Sequence, residues 1–199
     1  IFRNFSWNGD ASPYGRRFSK GDEDGMKRML YRSFDMISFL AVAMAFGVAA
    51  VGYKLAPFFY GQGFGPVGPA MMIESIVIVM ISWSNTIGQQ YLVPTNRMKD
   101  YTISVVLGSV INLIVNFLFI RLWGLDGAMW ATVLSETIVT GYQLVCTRKI
   151  FKWRQLFKNV PKYIIAGIAM FIPVFIMNVR LHPSVVTLSL EVLIGVVIY

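Results

Sequence analysis

The stretch TISVVLGSVINLIVNFLFI, residues 102–120, contains nineteen residues and no charge. A helix needs about 20 predominantly apolar residues to cross the hydrocarbon core of a bilayer. Its polar residues are not scattered. Ser104, Gly108, Asn112 and Asn116 recur every fourth position, so on a helix they form one ridge on an otherwise apolar cylinder. After Arg121 and five further residues, the run Gly127–Val145 repeats the design: Ala128, Thr132, Glu136 and Thr140 make a second ridge, flanked by Gly127, Ala131 and Ser135.

Working outward, four more runs of this kind are found: Met36–Tyr53, Ala70–Leu92, Tyr163–Asn178, and one that begins near Val185 and reaches Tyr199. Periodicity cannot separate a buried helix from a membrane helix, but length and repetition can. Six such runs on short connections predict an all-α fold, a polytopic membrane bundle of about six transmembrane helices. Composition agrees. The chain is 56% hydrophobic and 14% charged, with mean hydropathy +0.60, whereas soluble domains are about 45–50% apolar and about 25% charged. A disordered chain is excluded and a soluble globular domain is disfavoured.

The net charge of +8 does not mark a nucleic-acid binder, because the cations lie in short blocks between apolar runs and not on one basic face. Counted from the N-terminal stretch through the successive loops, Lys and Arg number 7, 1, 2, 1, 6 and 1, which places fifteen on one side of a threaded chain and three on the other. The positive-inside rule then puts residues 1–33, the loop with Arg97 and Lys99, and the Arg148–Lys162 loop in the cytoplasm. Residues 34–199 form the transmembrane domain. Lys20–Arg32 reads as a turn entering an amphipathic helix. The aromatic, breaker-rich stretch Pro57–Pro66 suits the headgroup zone, as does Lys152-Trp153-Arg154.

Charged residues inside membrane helices cost about 2.5–3.5 kcal/mol on insertion scales and usually face protein or water. Glu74, Glu136 and Glu191 lie inside spans and Asp35 at an edge; Glu191 is expected near the outer interface. In the second span Glu74, Ser75, Ser82, Asn85 and Gln89 share about a third of the helical circumference. The candidate cavity residues are therefore Glu74, Asn85, Gln89, Asn112, Asn116 and Glu136, lining a water-filled space in which a carboxylate binds a cation or proton. For the small residues and both Asn, helix packing is the better account; Glu74 and Glu136 are the exceptions, because a carboxylate adds nothing to packing that Gln would not.

Other features point to no chemistry. One cysteine, Cys146, and one histidine, His182, exclude an internal disulfide and a His/Cys metal cluster. Gly61-Gln62-Gly63-Phe64-Gly65 has no following Lys and no preceding strand, so it is not a phosphate loop. The Met, Phe and Trp residues are lipid-facing or core filler, and the basic loop is a topology and anionic-lipid signal. No nucleophile, paired-acid or cofactor constellation is present. No cofactor and no enzymatic activity are expected.

The run Asn85-Thr86-Ile87-Gly88-Gln89-Gln90-Tyr91-Leu92-Val93-Pro94-Thr95, then Asn112 and Asn116, then Trp123-Gly124-Leu125-Asp126-Gly127-Ala128, Ala131-Thr132 and Glu136 resembles the polysaccharide-repeat-unit flippases (Wzx-type), within the multidrug/oligosaccharidyl-lipid/polysaccharide exporter superfamily. The Ser19-Lys20-Gly21-Asp22 turn and Gly61-Gln62-Gly63-Phe64 also match, so the resemblance covers roughly residues 18–199. It implies a cytoplasmic-membrane transporter of about 12–14 helices in two lobes that rock in alternating access. This chain would supply most of the second lobe. The cargo implied is an undecaprenyl-pyrophosphate-linked oligosaccharide for capsule, exopolysaccharide or O-antigen synthesis. The partners implied are that substrate, membrane lipids, the N-terminal lobe of the same protein and polysaccharide polymerase machinery, with no nucleic acid. The pyrophosphate needs cations, and no span here carries one at depth. That role is expected of the other lobe or of an edge residue such as Arg121.

Residues 1–16 depart from the family pattern. Codons that encode Trp7–Gly15, read one nucleotide later, give a Leu-Pro-Arg-Met turn of the family type, so this stretch is expected to be out-of-frame translation. An initial Ile1 and an end at Tyr199 inside an apolar run predict a fragment of a larger protein. The alternatives are a drug/cation antiporter or a peptidoglycan-precursor flippase of the same superfamily, or an inactive gene fragment. A membrane polymerase would be expected to carry a large external loop, and every loop on that side is short.

Overall fold

The structure, a computed structural model, describes residues 22–199. The expectations for residues 1–16 and for the Ser19–Gly21 turn lie outside the described residues. In chain order the elements are α1 (Glu23–Tyr60), a 3-10 turn (Gln62–Phe64), α2 (Val67–Ile87), α3 (Met98–Thr147), a one-turn α4 (Trp153–Leu156), α5 (Val160–Arg180) and α6 (Val185–Ile198). Among the described residues there is no strand. Four helical segments are long and apolar enough to cross a membrane, and α6 is a shorter apolar helix. The chain is an all-α, multi-pass membrane helix bundle.

A straight helix of fifty residues would extend about 75 Å, more than twice the ~30 Å hydrocarbon thickness. The α3 segment instead folds back at Gly124, whose φ of 58° and ψ of −126° are not helical. Its two arms then run antiparallel. Ser104 meets Gln143, Gly108 meets Val139, Asn112 meets Ser135 and Phe119 meets Gly127, each pair four residues closer to the turn until the last. The two expected spans 102–120 and 127–145 are thus the arms of one hairpin. Their small-residue ridges are the surfaces that touch.

Helix α1 starts at Asp22, whose Oδ1 accepts from the Gly25 amide at 2.9 Å, as an N-cap should. It runs without a break across the expected boundary at residue 33. Before the hydrocarbon begins, Met26, Leu30 and Phe34 bury one face against Ile87, Tyr91, Leu92, Phe151 and Leu156. These residues come from three separate parts of the chain, so this apolar cluster ties α1, the end of α2 and the basic loop together. Trp83 stacks on Phe34 at 5.7 Å, meets Phe157 edge-on at 5.1 Å and donates its indole N–H to Ser38 Oγ at 2.9 Å. Past Ile87 the helix widens to π-helical turns over Gly88–Leu92. Pro94 lacks the N–H that would bond the Gln90 carbonyl, and the Val93 amide reaches back to Gly88 instead.

Helix α1 is the hub, packing on α2 and α5, with α3 against α2 and α6 against α5. The opposite end of the bundle is tied by Lys54, whose ammonium donates to the carbonyls of Val179 at 2.6 Å and Leu181 at 2.7 Å. A cation there satisfies the exposed carbonyl end of α5. The successive helix ends alternate. Arg97, Lys99 and the Arg148–Lys162 loop fall at the end where α1 begins, and Lys54, Arg121 and Arg180 fall at the other.

Candidate functional site

The face of α2 near Ser84 and Asn85 and the two arms of α3 enclose a polar cavity of about 620 Å³. The ridge spacing builds it. Asn112 and Asn116 stand one turn apart on the first arm, and Thr132, Ser135 and Glu136 stand opposite on the second. Asn116 Nδ2 donates to Asn112 Oδ1 at 2.9 Å, and Asn112 Nδ2 donates to Ser135 Oγ at 3.0 Å. The Ser135 hydroxyl in turn donates to the Thr132 carbonyl at 2.9 Å. The chain of bonds fixes both amides across the hairpin. Asn116 Oδ1 is left buried without a partner, an acceptor for a hydroxyl or amide brought by a ligand.

Glu136 is the one carboxylate among the lining residues, and none of them is Lys, Arg or His. Glu74 does not line the cavity but lies close enough to Glu136 for their charges to interact, and its Oε2 is buried without a hydrogen-bond partner. A buried carboxylate oxygen without a partner in an apolar bundle is an acceptor for a proton or a cation. Gln89 is exposed and donates to Asn85 Oδ1 at 3.1 Å, outside the cavity on the α2 side. Of the six expected residues, the structure therefore brings Asn85, Asn112, Asn116 and Glu136 together and leaves Glu74 and Gln89 at the periphery.

The expected polar stripe on α2 is not a single surface. Ser75 Oγ turns back to the Met72 carbonyl at 2.7 Å and Ser82 Oγ to the Ile78 carbonyl at 2.7 Å, so neither offers a free donor. Serine in an apolar helix satisfies itself this way.

Glu191 is 1% exposed and accepts from Asn178 Nδ2 at 2.9 Å. The reason is helical phase. Glu191 and Gly195 share the face of α6 that packs on Met170, Val174 and Asn178 of α5.

Two polar residues escape a sequence reading. Gln143 is fully buried and donates to Ser104 Oγ at 3.0 Å, bracing the basic end of the hairpin beside Tyr101 and Gly88. Asn178 has its partner on another helix. Gln143 lies seven residues past Glu136 and three past Thr140, so it extends the ridge on the second arm and that spacing was its available signal; Asn178 belongs to no such ridge, and its only signal was an amide at the end of an apolar run.

Arg121 lies exposed at the hairpin tip, its guanidinium 4.2 Å from the centre of the Phe117 ring, and does not line the cavity. Cys146 is half-buried and free, and His182 is exposed.

No family model matches the chain, and no solved structure matches it. Over 165 residues it is 23% identical to the Lipid II flippase MurJ of Bacillus subtilis (strain 168), an alignment that takes in 81% of this chain and 30% of that relative. The chain thus spans less than a third of the length of the protein it resembles. That similarity supports a place in the multidrug/oligosaccharidyl-lipid/polysaccharide exporter superfamily and does not single out one member.

Proposed function

We propose that the chain forms most of one lobe of a flippase that carries a lipid-linked saccharide precursor across the cytoplasmic membrane. The observation that carries this reading is the cavity between α2 and the α3 hairpin. Its amides and hydroxyls and its single carboxylate stand among apolar side chains such as Ile81, Val105, Leu113 and Val139, inside an apolar bundle. Neutral hydrogen-bonding groups suit sugar hydroxyls and amides. Asn85, Asn112 and Asn116 make those contacts, and Glu136, with Glu74 behind it, takes up the proton or cation that neutralises the site. The basic end faces the cytoplasm, following the distribution of Lys and Arg. The two lobes rock about the site in alternating access.

The finer cargo is an undecaprenyl-pyrophosphate-linked oligosaccharide repeat unit for capsule, exopolysaccharide or O-antigen. A peptidoglycan precursor is the second reading, favoured by the similarity to a lipid II flippase. The test uses the full-length protein in cells that lack their own exporter, with fluorescent-lectin detection of externalised sugar. Glu136→Gln and Asn112→Ala are expected to lower export at least about tenfold, equivalent to about 1.4 kcal/mol, at unchanged membrane abundance. Normal export in both variants removes the cavity from the mechanism. Rescue of lipid II export but not of repeat-unit export would reverse the order of the two cargoes.

A further inference from the structure

Where α1 ends, α2 begins and α5 turns into α6, a pocket of about 610 Å³ opens at the Lys54 end of the bundle. Tyr53, Lys54, Pro57 and Phe58 reach it from α1, Pro66 from the start of α2 and Pro183 from the α5–α6 turn. Among the described residues that line it, Lys54 is the one that carries a charge, and none is a carboxylate. Four of them are prolines, which have no backbone N–H to offer. Side-chain donors are therefore the Lys54 ammonium and the Tyr53 hydroxyl. The carbonyls of Val179 and Leu181 take two of the three ammonium N–H groups, which fixes the cation in place and leaves one donor. The carbonyl end of α5 offsets about half an elementary charge. The pocket stays positive, so its ligand is an anion.

Phe58 says what the anion is attached to. Its ring meets Phe59 edge-on at 5.3 Å, and it also lines a second space, a groove of about 510 Å³ between α1 and α6. Leu55 and Phe59 bound that groove on α1, and Val185, Leu188 and Val192 bound it on α6. Ser189 is the one residue lining it with a polar side chain. On α6 the lining starts at the first helical residue, Val185, and reaches Leu193, about 12 Å along the axis. One leaflet fills half of a ~30 Å hydrocarbon core, so the groove descends through most of a leaflet from the end where Lys54 sits. A cationic pocket and a hydrocarbon groove that share one aromatic wall fit an amphiphile, its anionic group on one side of Phe58 and its chain on the other.

We propose that this pair of spaces binds an anionic phospholipid of the leaflet at the Lys54 end, its phosphate on the Lys54 ammonium and one acyl chain between α1 and α6. The pocket is far larger than a bare carboxylate and falls within the range of about 300–1,000 Å³ typical of small-ligand sites, which suits a phosphate with its headgroup. The lone cation with no carboxylate beside it favours an anionic headgroup over a zwitterionic one, whose ammonium would find no partner among the lining residues. The site lies apart from the polar cavity and does not depend on which cargo that cavity carries.

The experiment is native mass spectrometry of the full chain in detergent, titrated with phosphatidylglycerol or phosphatidylcholine of identical acyl chains. Wild-type protein is expected to retain phosphatidylglycerol about fivefold more strongly, the worth of one lysine near a membrane surface. Lys54→Gln should equalise the two lipids. Because Lys54 also ties α1 to α5, a second variant leaves its bonds intact. Pro69→Asp, at an exposed lining position in the first turn of α2, where an acid is favoured, sets a carboxylate in the pocket and should also equalise them. Ser189→Trp, at an exposed position in the groove, should cut retention of both. Equal retention of the two lipids by wild type overturns the proposal. So does a phosphatidylglycerol preference that survives Pro69→Asp or a folded Lys54→Gln, or unchanged retention in Ser189→Trp.

Discussion

Gly108 on the first arm of α3 packs directly beneath Val139 on the second, and a Cβ at position 108 would overlap Val139 Cγ2. The contact sets how closely the two arms approach, and with it the reach of the Asn112–Ser135 bond one turn further on. Small residues drive helix association in membranes, where apolar side chains gain nothing over lipid.

Gly108→Val is therefore expected to destabilise the bundle by about 1–3 kcal/mol through overpacking. Pairing it with Val139→Ala should recover part of that loss. Thermal unfolding in detergent of the two single variants and the double variant measures it, and simple additivity would show that the contact does not set the spacing.

Gly124 closes the hairpin with a positive φ of 58°, a conformation glycine adopts freely and other residues do not. Gly124→Ala should cost about 1–3 kcal/mol of strain without touching any lining residue of the cavity. A melting temperature equal to that of wild type would mean the turn relaxes elsewhere.

Asn178 and Glu191 hold α5 to α6 by a buried hydrogen bond. Glu191→Gln keeps an acceptor and is expected to be mild. Glu191→Leu leaves the Asn178 amide unpaired. A double-mutant cycle with Asn178→Leu should return a coupling of about 0.6–1.7 kcal/mol, the range found for such bonds in membranes. Zero coupling would reduce the pair to a coincidence of packing.

Sidedness is tested best at Lys158 and His182, because the Lys54 ammonium is already committed to two carbonyls. In a Cys146→Ser background, His182→Cys and Lys158→Cys are expected to react with an impermeant maleimide from opposite faces of sealed vesicles. Labelling of both from one face would break the alternation of helix ends.

Apart from α1, which begins thirteen residues before the expected run at Met36, the apolar helices were legible in the sequence to within a few residues, because crossing hydrocarbon demands a local, additive property that any window of about twenty residues displays. The four-residue ridges on 102–120 and 127–145 were equally legible. Less of the cavity could be read. Asn85, Asn112, Asn116 and Glu136 converge as their ridges suggest, yet Glu74 and Gln89 share that apparent stripe and lie outside the cavity. Ser75, on the same expected face, lines an apolar groove between α1, α2 and α5 instead.

The sequence by itself determined that this chain is a multi-pass bundle whose cations gather at alternate helix ends, since hydropathy and charge act residue by residue. Tertiary structure alone decided that Gln143 braces Ser104, that Glu191 turns inward to Asn178, and that α2 separates a polar cavity from an apolar groove. Those outcomes depend on how far each helix rotates about its axis before small residues such as Gly108 and Gly195 let a neighbour close on it. A rotation of about half a turn would exchange the lipid-facing and buried sides without changing a single residue.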